Sequence, residues 1–392
     1  MIKTRTGIVD PGPQKDFPPS IIIWNGNGVR ARWTAPNNEL KALVESTNPD
    51  LLCFIESKAD AQKMLGLKGF EEWIDEKGFK HEFCYWSTHA DKTAHGGEGI
   101  MICSKIPCVV EYGMVHEEFD KQARVATIIF PAIIIVISYN PQGGFVEKSL
   151  EFRKRWEEAF TKFLSTLRTR AAREGKPILW GGDLNVCPHD DDWSERAFDH
   201  IRHKIQQGKI AMGCRKEDQI AYCKMLKAIE GTNVADELAW NNRKRTCFPN
   251  EPSLKKNFGQ RLDHVIAQNG LLNGEARVAV LDFDVVQQFG GGRKFCSDHC
   301  PLWVRLDNKD EKEERTRTQK EVEVCMMDME LVEEIQVLTA KYFPEDKEKG
   351  EETQSHMSSP MSIAFVENEE EEDFKADEDT MAIHRGFDAE EE

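Results

Sequence analysis

Short apolar runs rich in β-branched residues recur along the first 306 residues, and polar residues cluster at their ends. Such runs are typical of buried β-strands. They predict strands at residues 21–24, 51–55, 100–103, 126–130, 133–139, 178–180, 262–267 and 302–306. Amphipathic stretches between several of them predict helices at residues 39–45, 147–173 and 217–229. The alternation favours an α/β fold in which helices cover the sheets.

The apolar pattern ends at Leu306, and the remaining chain is strongly acidic. Residues 307–392 hold 29 acidic and 10 basic residues, whereas residues 1–306 hold 40 and 42, although the whole chain carries a net charge of −17. A segment with so much charge and so few aliphatic residues is expected to be disordered. The pattern therefore predicts an N-terminal extension at 1–19, a folded domain at 20–306 and an acidic tail at 307–392.

One part of the tail has helical spacing. Apolar residues between positions 322 and 343 recur at intervals that place them on one stripe of a helix. This helix could dock on the domain, form transiently, or bind a partner protein.

The eleven cysteines are scattered and include no CxxC pair. This usage argues against a zinc or disulfide framework and favours a reducing compartment. No stretch approaches 18 uncharged apolar residues, and the first residues lack the apolar middle of a secretory signal. We therefore expect an intracellular protein that does not enter a membrane.

Carboxylates, amides and a histidine recur at the ends of the predicted strands. They are Asn25, Asn27, Glu56, Tyr139, Gln142, Asp183, Asn185, Asp263, Asp298 and His299. A strand end can hold a side chain rigidly and still expose it to solvent, as a preorganised site requires. Each residue alone is also typical of an ordinary cap or turn.

Together these residues suit the hydrolysis of a phosphodiester, which needs a cation, a group that orients water, and donors to the phosphate. Glu56 with oxygen donors such as Asn27 and Asp298 suits magnesium. Asp183 and Asn185 place an acceptor and a neutral donor on one side of an extended segment. A protonated His299 could bind the phosphate, and Asp263 could keep it protonated.

Six segments, in this order, resemble motifs of the exonuclease III branch of the endonuclease/exonuclease/phosphatase family. They read WNGNGVRARW, FIESK, YNPQGG, GGDLNV, RLDHVI and CSDHCPLWV, and they span residues 24–304. The resemblance implies a DNase I-like four-layered α/β sandwich with its active site at one edge of two packed sheets. It implies magnesium-dependent hydrolysis, with manganese as a substitute, of the DNA backbone 5′ to abasic sites in base excision repair. Trimming of 3′ ends is implied as well.

The resemblance also implies roles for single residues. Glu56 would be the principal metal ligand, assisted by Asn27 and Asp298. Asp183 would activate the attacking water, Asn185 would position it, and His299 paired with Asp263 would bind the phosphate. Asn25 would order this network. The remaining residues, Tyr139, Gln142, Arg30, Lys58 and Arg124, would contact the phosphate or the leaving oxygen, and the three cations could equally be ordinary surface residues.

The segment that should form the pocket for a flipped abasic nucleotide departs from the family pattern. Only Phe248 remains of its aromatic residues, because Cys247 and Gln260 occupy positions that are normally aromatic or apolar. A nuclease acting on undamaged DNA or RNA, and a non-catalytic DNA-binding scaffold, therefore remain alternatives. The segment SYNPQGG lacks the histidine of the inositol phosphatase and sphingomyelinase branches, which favours the abasic-site branch.

These expectations define the partners. Duplex DNA with abasic sites would be the substrate of a monomer, and a nuclear location follows most directly, with the cytoplasm or an organelle left open. The acidic tail could recruit a protein partner, or mimic nucleic acid and cover the DNA-binding cleft.

Overall fold

The computed structural model describes residues 15–35, 38–59, 63–64, 66–80, 84–87, 99–143, 147–194, 213–238, 244–273, 275–287 and 297–308. All of them lie within residues 1–326, the first of two units into which the chain divides. The predicted helix at 322–343 and the predicted acidic tail beyond residue 308 lie outside the described residues.

Two six-stranded mixed sheets form the centre of the described domain. The first sheet has the order β11-β12-β1-β2-β4-β3, and the second has the order β5-β6-β7-β8-β10-β9. The strands of the first sheet are β1 (Ser20–Asn25), β2 (Leu51–Ile55), β3 (Cys84–Ser87), β4 (Ile100–Ser104), β11 (Val278–Val285) and β12 (Leu302–Asn308). Those of the second are β5 (Val109–Tyr112), β6 (Val125–Ile129), β7 (Ile134–Tyr139), β8 (Ile178–Asp183), β9 (Gly231–Asn233) and β10 (Asp263–Gln268).

The strands are connected by α-helices, several of which cover the outer faces of the two sheets. The helices are α1 (Val29–Thr34), α2 (Glu39–Thr47), α3 (Phe70–Glu76), α4 (Glu117–Asp120), α5 (Glu147–Glu174), α6 (Lys216–Ile229), α7 (Val234–Leu238), α8 (Glu251–Lys255) and α9 (Asn269–Leu272). Within the described part of the chain, no helix is both long enough and apolar enough to cross a membrane.

Three apolar clusters account for the layers. One lies between the sheets and includes Ile23 and Ile55 of the first sheet with Ile137 and Leu179 of the second. A second cluster packs α5 and α6 on the second sheet, and a third packs α1, α2 and α3 on the first. The predicted four-layered α/β sandwich is therefore confirmed.

A glycine allows the two sheets to approach closely near the centre. A Cβ atom added to Gly181 of β8 would lie 2.5 Å from Cδ1 of Ile23 in β1. Because real Cβ atoms do not approach other carbons so closely, a larger residue there would force the Ile23 side chain to move. This contact holds β1 of one sheet against β8 of the other, two strands that both end in candidate site residues.

The predicted strands and helices all form, with ends shifted by three residues or fewer. β12 continues through Asp307 to Asn308, two residues beyond its predicted end. Strands β3, β5, β9 and β11 were not predicted. β5 is largely exposed, β9 has only three residues, and the pairing of β11 is interrupted by a bulge between Val280 and Asp282.

Strand direction brings the candidate residues to one edge. β1 runs parallel to β2, and β7 runs parallel to β8, so these four strands end on the same side of their sheets. β12 is antiparallel to β1, and β10 is antiparallel to β8. The starts of β10 and β12 therefore lie beside the ends of the parallel strands.

Candidate active site

Asp183, the last residue of β8, lies at the centre of the site. In the backbone register it pairs with Tyr139 of β7 on one side and with Asp263 of β10 on the other. Directly opposite residues lie about 4.5–5.5 Å apart in a sheet. The pairing of the strands alone therefore places three of the ten candidate residues, Tyr139, Asp183 and Asp263, next to one another.

Asn25 connects the two sheets. Its Nδ2 donates to Oε1 of Glu56 at 3.1 Å and to Oδ2 of Asp183 at 3.0 Å. Its Oδ1 accepts from the backbone N–H of Asn27 at 3.3 Å. Since Asn25 and Glu56 follow strands of the first sheet and Asp183 ends a strand of the second, one amide fixes two carboxylates across the interface between the sheets.

Glu56 and Lys58 lie in a tight turn with left-handed backbone. Glu56 has φ 52°, Lys58 has φ 50°, and Asn27 has φ 51°. Non-glycine residues rarely adopt this conformation, and such strain concentrates at functional sites. The turn brings Nζ of Lys58 to 3.0 Å from Oε2 of Glu56 and to 2.6 Å from Oδ1 of Asn27.

The turn keeps Glu56 ionised. Burial alone would raise the pKa of Glu56, but the charge of Lys58 and hydrogen bonds from Tyr139, Asn25 and Lys58 lower it below its ordinary value. Lys58 is a cation held between the oxygens of two predicted metal ligands. Both oxygens therefore contact a single positive charge, as two ligands of one metal ion must.

Asp298 is tied to the same edge through Ser297. Oγ of Ser297 donates to the backbone carbonyl of Asn25 at 2.9 Å and lies 3.2 Å from Oδ1 of Asp298. The N–H of His299 in turn donates to Oγ of Ser297 at 3.2 Å. Ser297 is a positioning residue that the sequence analysis did not single out, although it lies within the SDH motif.

His299 forms a short pair with Asp263, as predicted. Nδ1 of His299 lies 2.7 Å from Oδ2 of Asp263, and Nε2 lies 3.8 Å from Oδ2 of Asp183. Burial lowers the pKa of His299, but the charge of Asp263 and other nearby acidic groups outweighs burial and holds the pKa well above its ordinary value. A positively charged imidazole therefore lies between two carboxyl groups.

The pKa of Asp183 is raised as well, but for a carboxyl group this shift favours the uncharged form. Its carboxyl group is 1% exposed, and burial, together with the charge of Asp263, raises its pKa from 3.8 to about 7 despite the opposing effect of His299. Asn25 and the N–H of Asn185, which donates to Oδ1 at 3.0 Å, fix both oxygens of the group. A carboxyl group with this pKa can accept a proton near neutral pH.

The sequence pattern of the Endonuclease/Exonuclease/phosphatase family matches residues 22–299, which include every residue described above. This chain belongs to that family. This match and the relatives described next confirm two predictions: the resemblance to abasic-site endonucleases, and the hydrolysis of phosphodiester bonds.

Curated relatives of this family member are DNA repair nucleases. The chain is 28% identical over 299 residues to the DNA repair nuclease APEX1 of Danio rerio, covering 73% of this chain and 81% of that protein. It is 26% identical over 293 residues to the DNA-(apurinic or apyrimidinic site) endonuclease of Dictyostelium discoideum, covering 73% and 70% of the two chains.

Solved structures of similar fold support the architecture. A 3′-5′ exonuclease from Neisseria meningitidis superposes with a TM-score of 0.56 at 21% identity, covering 74% of this chain and 99% of that chain. An AP endonuclease from Archaeoglobus fulgidus gives the same TM-score at 20% identity, with the same coverage. At these identities the likeness establishes the fold of the family member.

Tyr139 faces the centre of the site in this family member. It is hydrogen-bonded to Glu56, and burial, with the charges of Glu56 and Asp183, raises the pKa of its hydroxyl well above its ordinary value. The guanidinium of Arg124 lies 4.8 Å from the centre of the Tyr139 ring and donates to the Tyr139 carbonyl at 3.2 Å. Arg124 therefore supports Tyr139, whereas Arg30 and Gln142 have exposed side chains at the same edge.

Asn185 is held in place by Arg153, a residue that was not predicted from the sequence. Its Nδ2 donates to the Asn140 carbonyl at 3.0 Å, and its own carbonyl accepts from NH1 of Arg153 at 2.7 Å. Arg153, Glu157 and Trp156 are all buried on α5. The sequence did contain a signal for this role: Arg153 lies on the apolar face of the predicted helix, and a charged residue is seldom buried there without a partner.

Phe248 does not fit its predicted role in substrate binding. Its ring is fully buried in the cluster between the sheets, because its N–H donates to the Asp298 carbonyl at 2.7 Å and draws the segment inward. The neighbouring Cys247 is half-buried beside His299, and Gln260 pairs with it through backbone hydrogen bonds of 2.8 Å. The Gln260 side chain donates to the sulfurs of Cys187 and Cys214, so neither position 247 nor position 260 supplies the aromatic ring expected of the predicted pocket.

Proposed function

We propose that this protein hydrolyses the DNA backbone 5′ to abasic sites in a magnesium-dependent reaction. The proposal rests mainly on one observation: Asn25 joins Glu56 and Asp183, so a cation-binding carboxylate and a proton-accepting carboxyl group are fixed against each other. The names of the two curated relatives, an abasic-site endonuclease and a DNA repair nuclease, support the choice of substrate.

Asp183 is the proposed general base. Its pKa of about 7 makes it a useful proton acceptor at neutral pH, since a base works best when its pKa lies near the working pH. Hydrogen bonds from Asn25 and from the N–H of Asn185 fix its orientation. It would take the proton of the water that attacks phosphorus.

His299 is the proposed phosphate-binding cation. Asp263 keeps its imidazole charged at 2.7 Å, and the charge can stabilise the negative oxygens of the transition state. The hydroxyl of Tyr139 stays protonated because its pKa is raised, and it now donates to Glu56. When substrate binds, the hydroxyl would turn to donate to the same phosphate or to the leaving oxygen.

Glu56, with Asn27 and Asp298, would hold the magnesium ion. When bound, the ion supplies positive charge that offsets the charge developing on the phosphate oxygens. Lys58 now contacts Glu56 and Asn27, so its ammonium would turn toward the DNA backbone when the ion binds.

A panel of substrates tests this function. The full chain is mixed with a duplex carrying a tetrahydrofuran abasic analogue, an intact duplex, a duplex with a 3′ phosphate and a matched RNA, each with magnesium or with a chelator. We expect cleavage 5′ to the analogue that requires magnesium. Cleavage of the intact duplex or RNA at an equal rate would contradict the abasic specificity.

Glu56→Gln tests the metal site in the same assay. Loss of the carboxylate should raise the magnesium concentration needed for half-maximal rate by about 10- to 100-fold, because the amide is a weaker ligand. Glu71→Gln, which removes an exposed carboxylate from α3, is the matched control and should keep the magnesium dependence of the wild type. An unchanged magnesium dependence in Glu56→Gln would contradict the assignment.

The rate should depend on pH through Asp183 and His299. Asp183 must be ionised to accept a proton, so the single-turnover rate should fall about tenfold per pH unit below its pKa of about 7. His299 must stay protonated, and its raised pKa extends the plateau well into alkaline pH before the rate falls. A rate that is flat between pH 5 and pH 7 (roughly two units below the pKa) would contradict Asp183 as the base.

Trimming of 3′ ends is the second candidate function. The absence of aromatic residues at positions 247 and 260 favours it, because a flipped abasic sugar has fewer ring contacts to bind against. Faster release of phosphate from the 3′-phosphate duplex than cleavage at the abasic analogue would establish trimming as the main activity.

A further inference from the structure

Three side chains with the chemistry of a zinc site meet beside the proposed phosphate-binding histidine. The sulfur of Cys247, a carboxylate oxygen of Asp298 and a ring nitrogen of His299 all lie within 4.8 Å of one another. Cys247 and Asp298 are half-buried, and His299 is buried. Cys247 lies 51 residues before Asp298 and 52 before His299, so no short motif in the sequence indicates the cluster.

Backbone pairing holds the cluster together. Cys247 and His299 form an antiparallel bridge. On one side of it the N–H of Phe248 donates to the Asp298 carbonyl at 2.7 Å, and on the other the N–H of Cys300 donates to the Thr246 carbonyl at 2.7 Å. Cross-strand neighbours have side chains close enough to share a ligand. The three groups are therefore held by backbone hydrogen bonds between two short segments that lie outside the named strands.

The ligand set selects against magnesium. Magnesium prefers oxygen ligands in octahedral geometry, whereas thiolate and imidazole together favour zinc. Zinc binds sulfur at about 2.3 Å and nitrogen at about 2.0–2.1 Å, so its ligand atoms lie roughly 3.5 Å from one another in a tetrahedron. Groups already within 4.8 Å need only small side-chain rotations to reach that arrangement.

We propose that Cys247, Asp298 and His299 bind a thiophilic divalent cation, zinc, and that zinc bound there inhibits phosphodiester cleavage. Zinc would displace one proton from the Cys247 thiol and one from the His299 imidazolium, and both protons pass to solvent. A ring nitrogen of His299 that ligates zinc no longer donates to the phosphate, and Asp298 is withdrawn from the magnesium site. The binding stands on the geometry alone, whereas the inhibition rests on the proposed function. The site depends on Cys247, which supplies its only sulfur ligand.

Cobalt substitution tests the binding directly. Full-length protein with reduced cysteines is titrated with Co²⁺, and a thiolate ligand gives a charge-transfer absorption in the near ultraviolet. We expect this absorption in the wild type and its loss in Cys247→Ser. Cys223→Ser, which removes an exposed thiol from α6, is the matched control and should keep it. Retention of the absorption in Cys247→Ser would overturn the site.

Zinc affinity and inhibition complete the test. Calorimetric titration with Zn²⁺ should show at least about tenfold weaker binding in Cys247→Ser, because even outer-shell changes cost 10- to 100-fold. Asp298→Asn should weaken zinc binding while keeping the thiolate absorption, which guards against a folding defect in the cysteine variant. Equal zinc affinity in the wild type and Cys247→Ser would overturn the site.

Cleavage assays with excess magnesium then measure inhibition, each variant relative to its own zinc-free rate. Zinc should inhibit the wild type and Cys223→Ser at concentrations at least about tenfold lower than Cys247→Ser. Equal inhibition of all three would overturn the inhibitory role. If no substrate is cleaved by any form, the proposed function fails, yet the cobalt titration still decides the zinc site.

Discussion

Asp183→Asn is expected to lower the single-turnover rate of cleavage by roughly 10²–10⁴-fold, the usual contribution of a general base. An amide has the size of the carboxyl group but cannot take a proton from water. The remaining rate should also lose its dependence on pH near 7, because the group that titrates there is gone. Quenched-flow measurement on the abasic duplex from acid to alkaline pH would record both effects.

The fold should survive this change. The amide removes the cost of burying a charge, but it turns one donor toward Asn25 or toward the N–H of Asn185, at a cost of about 1 kcal/mol. These effects oppose each other, so the free energy of unfolding should change little. Asp75→Asn, an exposed carboxylate on α3, is the control. A rate in Asp183→Asn within threefold of the wild type (against the roughly 10²–10⁴-fold expected of a base) would refute Asp183 as the base.

Arg153→Met should destabilise the domain by about 3–5 kcal/mol, the usual result of removing one partner from a buried ion pair. Nε of Arg153 lies 2.8 Å from Oε1 of Glu157 and 3.3 Å from Oδ1 of Asp218, and all three side chains are at most 8% exposed. Methionine would leave Glu157 buried without its hydrogen-bonded cation, whereas Asp218 would keep its pair with Arg215 at 3.0 Å. Urea unfolding, followed by circular dichroism, would measure the difference.

The neighbouring Arg155 provides a matched control. Its side chain is 55% exposed and pairs with Glu118 at 2.8 Å. Exposed pairs contribute about 0–1 kcal/mol, so Arg155→Met should change the stability little. The double variant Arg153→Met/Glu157→Gln should recover part of the loss, because one stranded charge is removed. Equal stability of Arg153→Met and Arg155→Met would show that the buried pair does not stabilise the fold.

Sequence patterns were sufficient to predict the central strands and the edge that carries the site. Parallel pairing of β1 with β2 and of β7 with β8 brings Asn25, Glu56 and Asp183 together once the strands are known. Peripheral strands were harder to predict, because an edge strand such as β5 is paired on one side only and needs no buried apolar face.

Residues that act through three-dimensional contacts escaped prediction. Phe248 was assigned to the substrate because it is the one aromatic residue left in the segment that should form the pocket, but its backbone bond to Asp298 turns the ring into the core. Arg153 supports Asn185 across 32 positions of sequence. The meeting of Cys247 with His299 depends likewise on pairing between distant segments, which local patterns do not encode.

The place of β12 in the first sheet has a consequence for the newly made chain. This last described strand lies between β11 and β1, so the first strand gains its second neighbour only when residues 302–308 have been synthesised. Asp298 and His299 immediately precede that strand. We expect a ribosome-bound chain shorter than about 300 residues to have no nuclease activity, because synthesis proceeds from the N-terminus and the site is completed last. The order of the strands thus keeps the nascent enzyme inert until its fold is closed.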